Sequence, residues 1–299
     1  MTERIIITGG SGFLGTQIAA RLSARGFSVV SLDLAPPRNP DTAFVRGDMS
    51  EGIPNDPLLE HPYAVINLAG VPIFGKWTEE RKHAIYDSRV VGTKNLVASF
   101  ADPTRRPKYF VSASAVGFYG DRSDSMLDVT SPAGDGFLAA VCRDWETEAR
   151  RASVAHGVPT TIIRNGHILG LGGILSVLLP WYRKGLGGPL GNGKQWMPWI
   201  HLDDCAELYV RAAVGESIVP LIIAASPELV PNRLFSKTVA RVLRRPHIFF
   251  LPVFALRILY GEMADEMVTS QRVTPELGGY QLKFASLQAA LADVIRGGK

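Results

Sequence analysis

The chain has 299 residues, 46% of them hydrophobic and 20% charged, enough for one large α/β unit or two interlocked domains around a well-filled core. Lys and Arg number 32 against 28 acids, a net charge of +4; the excess is small and reads as scattered, so nucleic acid is not an expected partner. Two cysteines, Cys142 and Cys205, and six scattered histidines give neither a disulfide framework nor metal-ligand spacing, so no metal is expected.

The opening MTERIIITGG runs into a strand without the apolar stretch of a signal peptide, and a cytoplasmic location is expected. Arg4 to Thr8 reads as a buried strand. Leu14, Ile18 and Leu22 follow at helical spacing, and Gly26 ends that helix. Further strands are expected at 27–32, 43–46, 64–68, 108–112 and 160–164. Trp77 to Phe100 reads as helical with a break near Tyr86 to Ser88. Phe137 to His156 is a helix with Phe137, Val141, Trp145 and Ala149 along one face, stopped by Gly157. This alternation predicts an α/β fold, a Rossmann-type doubly wound parallel sheet.

Beyond Asn165 glycine becomes dense, from Gly170 to Gly193, around one helix at 174–184. WIHLDDCAELYVRAAV reads as a short strand and a helix capped by Asp203 or Asp204. Another strand follows at 221–225, and the last third is helical, broken by Pro246, Pro252 and Pro275. IFFLPVFALRILYG, Ile248 to Gly261, is interrupted by Pro252 and Arg257 and is too short to span a bilayer. It is expected to pack internally, with peripheral membrane contact as the other reading.

ITGGSGFLG is the sharpest motif. It places Gly9, Gly12 and Gly15 three apart after a strand, with Phe13 and Leu14 opening a helix. Such glycines give a tight turn, close backbone approach to a pyrophosphate and close helix packing, and the helix N-terminus faces the anion. Asp33 ends the second strand about 20 residues further on, where a carboxylate accepts both ribose hydroxyls and repels a 2′-phosphate. NAD is therefore favoured over NADP, though Arg38 nearby weakens the preference. Asp48, followed by Met49, is a candidate for the adenine amino group or a turn-forming Asp. Leu68, Ala69 and Gly70 end the fourth strand, where small residues let backbone lie against the cofactor.

With TGGSGFLG, VINLAG, VSASAVGFYG, IIRNGHILG and WIHLDD together, the chain resembles the extended short-chain dehydrogenase/reductases, the NAD-dependent epimerase/dehydratase group. Through FLAAVCRDWE, GGPLGNGKQWMPWIHLDD and its C-terminal module it is similar to an atypical, sugar-nucleotide-epimerase-like subgroup. The resemblance covers essentially the whole chain. It implies a Rossmann domain over 1–165 plus roughly 196–215. It also implies a smaller substrate-covering α/β domain over 166–195 plus 216–299, and a homodimer made partly by the helix at 137–156. Many members of the subgroup carry basic residues near the Asp33 position and look NADP-preferring. Ser114 matches the catalytic serine, with Ser112 second and also counted on the cofactor side. Ser88 stands where relatives usually carry an Asn.

In the parent group a Tyr and a Lys four residues later do the proton chemistry from one helix face. Here the two registers give Phe137 with Val141 or Leu138 with Cys142, and the second aligns Glu146 with a Glu frequent in the group. Neither register supplies a phenol or an amine. Cys142 and Tyr119 are the candidate substitutes; the alternative for each is packing. His167 and His201 stand near the sheet edge, Arg164 is counted with the cofactor-side residues as a loop support, and Lys194, Gln195 and Trp196 are candidates for the cleft mouth. The expected function is an NAD(P)-dependent epimerase- or oxidoreductase-like enzyme on an unidentified small molecule, with a nucleotide sugar as one candidate. The alternative is a dinucleotide-binding sensor or scaffold without turnover. A hydrolase role for Ser114 is weak, since no Gly-x-Ser-x-Gly elbow surrounds it.

Overall fold

The structure of the chain, a computed structural model, describes residues 2–297. The β-branched run β1 (Arg4–Thr8) leads through the glycine loop into α1 (Phe13–Ala24), then β2 (Ser28–Asp33), β3 (Ala43–Arg46) and β4 (Ala64–Asn67). Next come α2 (Glu79–Ser99), β5 (Tyr109–Ala115), the short β6 (Met126–Leu127), α3 (Phe137–His156), β7 (Thr160–Asn165) and β8 (His167–Leu169). The last third holds α4 (Ile174–Arg183), β9 (Trp199–His201), α5 (Leu202–Ala213), β10 (Leu221–Ala224), α6 (Asn232–Leu243), α7 (Val253–Tyr260), α8 (Met263–Glu266), β11 (Arg272–Val273) and α9 (Leu287–Gly297).

Seven parallel strands form one sheet in the order β10-β7-β5-β4-β1-β2-β3. The chain leaves β1 toward β2 on one side and returns to β4 on the other, so the switch point lies between β1 and β4, where open α/β sheets bind ligands. Alternation along β1 makes both cores. Ile5 and Ile7 pack with Ile18 and Leu22 of α1 and Leu208 and Tyr209 of α5. Ile6 packs on the opposite layer with Leu96 and Val97 of α2 and Ala149 and Ala152 of α3. Burying each such side chain contributes roughly 1.5–3 kcal/mol. A separate cluster of Leu175, Leu179, Tyr182, Trp199, Phe235, Val239 and Leu291 holds α4, α6 and α9 together. Asp204 ties that region to α5: its buried carboxylate accepts from the Tyr280 hydroxyl and from the amides of Lys283 and Phe284.

Two expectations are corrected. α2 is continuous through Tyr86–Ser88: Ile85 is buried, and the Ser88 hydroxyl faces the loop beyond β4, accepting from the Val71 amide. Tertiary anchoring outweighs the weak local helix preference of Tyr-Asp-Ser. The cap of α5 is His201, whose Nδ1 accepts from the Asp203 amide; Asp203 and Asp204 sit in the first helical turn, where carboxylates favour the N-terminal dipole. Finally, β10 belongs to the main sheet, pairing with β7, so the chain beyond 216 contributes one strand to it.

Candidate functional site

The ends of β1, β2 and β4 stop level with one another, with Thr8 paired to both Leu32 and Asn67, and Gly9 donates its amide to the Leu32 carbonyl. Gly9 has φ +69°, and a Cβ there would meet the backbone of Ala69 at 3.0 Å. A Cβ at Gly15 would lie 2.5 Å from the Gly9 carbonyl oxygen. These two glycines are required by the chain's own packing. Gly12 is different: its Cβ would meet only the Gly9 oxygen at 3.1 Å, and otherwise open space. The amides of Phe13 and Leu14 find no acceptor among the described residues. Open space over Gly12, facing unpaired amides at the start of α1, fits a pyrophosphate.

Asp33 lies beside this loop. One carboxylate oxygen accepts from the Ser11 amide and the other from the Leu34 amide, which fixes the carboxylate at the end of β2. Leu68, Ala69 and Gly70 line the β4 side, with Leu68 and Ala69 donating their amides to the Thr8 hydroxyl. Two further expected cofactor residues have contacts within the chain. The Asp48 carboxylate accepts from the amide and hydroxyl of Ser50 and so forms a turn. Met49 is core, packed against Gly92 of α2. Ser112 is buried under the sheet edge, accepting from Asn67 Nδ2.

Below the expected reaction centre runs a buried polar network. Glu146 of α3 accepts from Arg164 Nε at 2.7 Å and Arg164 Nη2 at 2.9 Å. Its oxygens also accept from the Ser114 hydroxyl at 2.7 Å and from Arg150 at 2.8 Å. Arg164 Nη1 donates to the Tyr119 hydroxyl, which itself donates to the Asp128 carbonyl. The guanidinium also stacks on Phe118, 3.4 Å from the ring centre.

The three catalytic candidates all touch or adjoin this network. Tyr119 is wholly buried, and burial raises its pKa, so its phenol braces Arg164. Ser114 turns its hydroxyl inward to Glu146. Cys142 is buried, and desolvation, reinforced by Glu146, pushes its thiol up to about 11; it remains a protonated thiol. Arg164, expected on the cofactor side, is spent on the same network. His167 is held neutral by desolvation, its pKa lowered to about 4. In the loop expected at the cleft mouth, Gln195 holds the Leu190 carbonyl, and Trp196 is gripped by Asp124 and Arg272. Lys194 is exposed.

Two charged residues escaped the sequence reading. Arg89 of α2 donates to the Val71 and Ile85 carbonyls, and its guanidinium carbon sits 2.7 Å from where a Cβ of Gly70 would be. It lies over Trp145, 5.5 Å from the ring centre, and near enough to Cys142 to favour the thiolate. A cation thus stands beside the lysine position. Glu266 of α8 reaches the start of α3, 3.5 Å from the Cβ position of Gly136 and beside the Leu138 amide. Burial raises its pKa, against the pull of that amide. A titratable carboxyl thus stands beside the tyrosine position. No local signal marks either residue, because each reaches the site from a distant element.

A glycine loop at the switch point of a seven-stranded parallel sheet, with an acid ending β2, defines a Rossmann protein of the extended short-chain dehydrogenase/reductase type. Residues 5–218 match the NAD dependent epimerase/dehydratase family, and residues 251–294 match a domain of unknown function, DUF1731. The chain is 33% identical over 297 residues to the epimerase family protein YfhF of Bacillus subtilis, covering 97% of each. It superposes on the crystal structure of human epimerase family protein SDR39U1 with NADPH at TM-score 0.86 and 29% identity, over 98% of this chain and 99% of that one. A nucleoside-diphosphate sugar epimerase from Corynebacterium glutamicum gives TM-score 0.77 and 31% identity, over 99% of this chain and 58% of that one. The chain belongs to the NAD dependent epimerase/dehydratase family. The expected fold, family and class of cofactor, a nicotinamide dinucleotide, are borne out.

Proposed function

We propose that the chain holds NAD(H) over Gly9, Gly12 and Gly15, with Asp33 on the adenosine ribose. On this reading it acts on a nucleotide sugar as an epimerase- or oxidoreductase-like enzyme without the Tyr–Lys pair. The observation that carries this reading is the open phosphate cradle at Gly12, on the same sheet edge as the α3 face bearing Leu138 and Cys142. The substrate class is supported by the sugar-nucleotide epimerase among the relatives. The human relative is crystallised with NADPH; Asp33 argues for NAD(H) here, because a carboxylate at the ribose repels a 2′-phosphate.

The nicotinamide ring supplies or accepts hydride when bound. Arg89 provides the fixed positive charge that the lysine position lacks, and Glu266 the group that takes or returns the substrate's hydroxyl proton. Burial raises the pKa of Glu266, which favours a carboxyl that can hold a proton as well as take one. Phe137, Trp77 and Met263 form an apolar cluster at the start of α3, next to Gly136.

A second reading is favoured by the inward-turned Ser114 and the protonated Cys142: a protein that binds the dinucleotide and does not turn over. Incubating the protein with NAD(H) and a panel of nucleotide sugars, and following both epimer formation and net oxidation or reduction of the dinucleotide, separates the two. The enzyme reading predicts a changed sugar, lost in Glu266→Gln and reduced in Arg89→Met while NADH binding persists in Glu266→Gln. Tight binding with no changed sugar across the panel selects the sensor. Failure to bind NADH and NADPH contradicts both.

A further inference from the structure

The segment Ile248–Gly261 is not absorbed into the core. Phe254 and Ile258 of α7 are 69% and 74% exposed, one helical turn apart on the same side, while Leu256 faces inward. Ile248 and Phe250, just before α7, are 77% and 66% exposed. The surface is continuous with the end of α4, because Leu251 donates to the Pro189 carbonyl and accepts from the Gly191 amide. Backbone at Phe249 lies against Gly188, and Pro246 lies near Gly185. Trp181 and Leu186 extend the apolar area on that side and are also exposed. A contiguous apolar patch of this kind, rimmed by polar groups, marks an interaction site.

The rim is mostly basic, with Glu262 and Asp265 of the following turn, paired to Lys82 and Arg257, as its acidic members. From Gly166 to Leu202 and from Leu229 to Gly261 the sequence contains no Asp or Glu. Arg183 and Lys184 end α4, and Arg244 and Arg245 follow α6, all four exposed and without an ion-pair partner among the described residues. Arg257 on α7 is paired to Asp265. The small net charge therefore conceals a segregated basic face. The surface does not complement itself: in a two-fold pair these cations would approach their own copies. Phenylalanine and isoleucine protruding from a cationic surface match the boundary between headgroups and acyl chains, where apolar side chains sink and Lys and Arg meet anionic headgroups.

We propose that α7, the 244–251 segment and the end of α4 together form a peripheral docking surface for an anionic lipid bilayer. The contact is interfacial: among the described residues no helix is long and apolar enough to cross a membrane. α7 also adjoins the loop beyond β4, with Tyr260 6.2 Å from Phe74 ring to ring, so docking sets the bilayer beside the wall of the proposed site. The proposal stands whether or not that site turns over substrate.

The test is co-sedimentation of the full chain with phosphatidylcholine vesicles and with vesicles containing one-third phosphatidylglycerol. Binding is expected to the phosphatidylglycerol vesicles and to weaken with added salt. Phe254→Asp with Ile258→Asp should abolish it. Arg244→Glu with Arg245→Glu should weaken it by roughly tenfold or more, since each basic residue near an anionic surface counts for about 1 kcal/mol. These side chains are exposed, and circular dichroism and NADH binding check that the variants fold. Salt dependence of the wild type tests the charge contribution without any variant. No binding by the wild type, equal binding to both vesicle types, or wild-type binding by the variants would overturn the proposal. So would a dimer in sedimentation that the Phe254→Asp, Ile258→Asp variant dissolves, which would assign the face to a second copy.

Discussion

Glu146 carries four hydrogen bonds on two buried oxygens, two of them from the Arg164 guanidinium. Removing one member of such a pair leaves an uncompensated buried charge, at a cost of about 3–5 kcal/mol. Glu146→Ala is expected to lose that much in urea unfolding, and Ser114→Ala only about 1 kcal/mol, the usual value of one hydrogen bond. Equal losses in the two variants would mean that the ion pair is not what holds the floor. The glycines of the phosphate loop and Asp33 were legible in the sequence because their reason is local: turn, helix start and strand end lie within one βαβ stretch. Glu146 was visible only as a register marker. Arg89 and Glu266 were not legible, since their meaning depends on α2 and α8 reaching α3 from far along the chain. Tyr119 and Cys142 had suitable chemistry at suitable positions, but burial redirects both, and periodicity does not report how a loop closes over a side chain.

At the scale of elements, the glycine-dense stretch after β8 has a packing cause. A Cβ at Gly172 would fall 2.4 Å from Cδ2 and 3.1 Å from Cβ of Phe13, so the ring cannot swing clear; Gly170 faces the far end of the same ring. The loop thus fits over the start of α1, joining the smaller region to the cofactor loop. Gly172→Ala should destabilise by roughly 1–3 kcal/mol through overpacking. Phe13→Ala in the same chain should recover part of that loss, a coupling read from a double-mutant cycle. Additive losses would contradict this contact. Most strands and α3 fall where their hydrophobic runs and stop signals predict. Two elements depend on tertiary contacts: α2 crosses a weak local stretch because Ser88 and Ile85 are anchored by them, and only the pairing of β10 with β7 reveals its sheet.

On the scale of the whole molecule two surfaces carry the proposals. The sheet edge holds the open space over Gly12, and the exposed apolar side chains of α7 and 248–250 lie beside the cations Arg183, Lys184, Arg244 and Arg245, unpaired among the described residues. The first feature is where the account stands or falls. Gly12 has φ −73° and ψ 177°, open to any residue, and its Cβ position meets only the Gly9 carbonyl oxygen, at 3.1 Å. Gly12→Val is therefore expected to fold, with some loss of stability as that carbonyl gives way, and to fill the room for the pyrophosphate. Asp33→Ala should weaken NADH more than NADPH. The decisive measurement is calorimetric titration of the wild type, Gly12→Val and Asp33→Ala with NADH and NADPH, alongside their melting temperatures. The account predicts saturable binding by the wild type with NADH preferred, loss of both cofactors in a Gly12→Val that still folds, and loss of the NADH preference in Asp33→Ala. A wild type that binds neither dinucleotide, or a folded Gly12→Val that binds as well as the wild type, would contradict it.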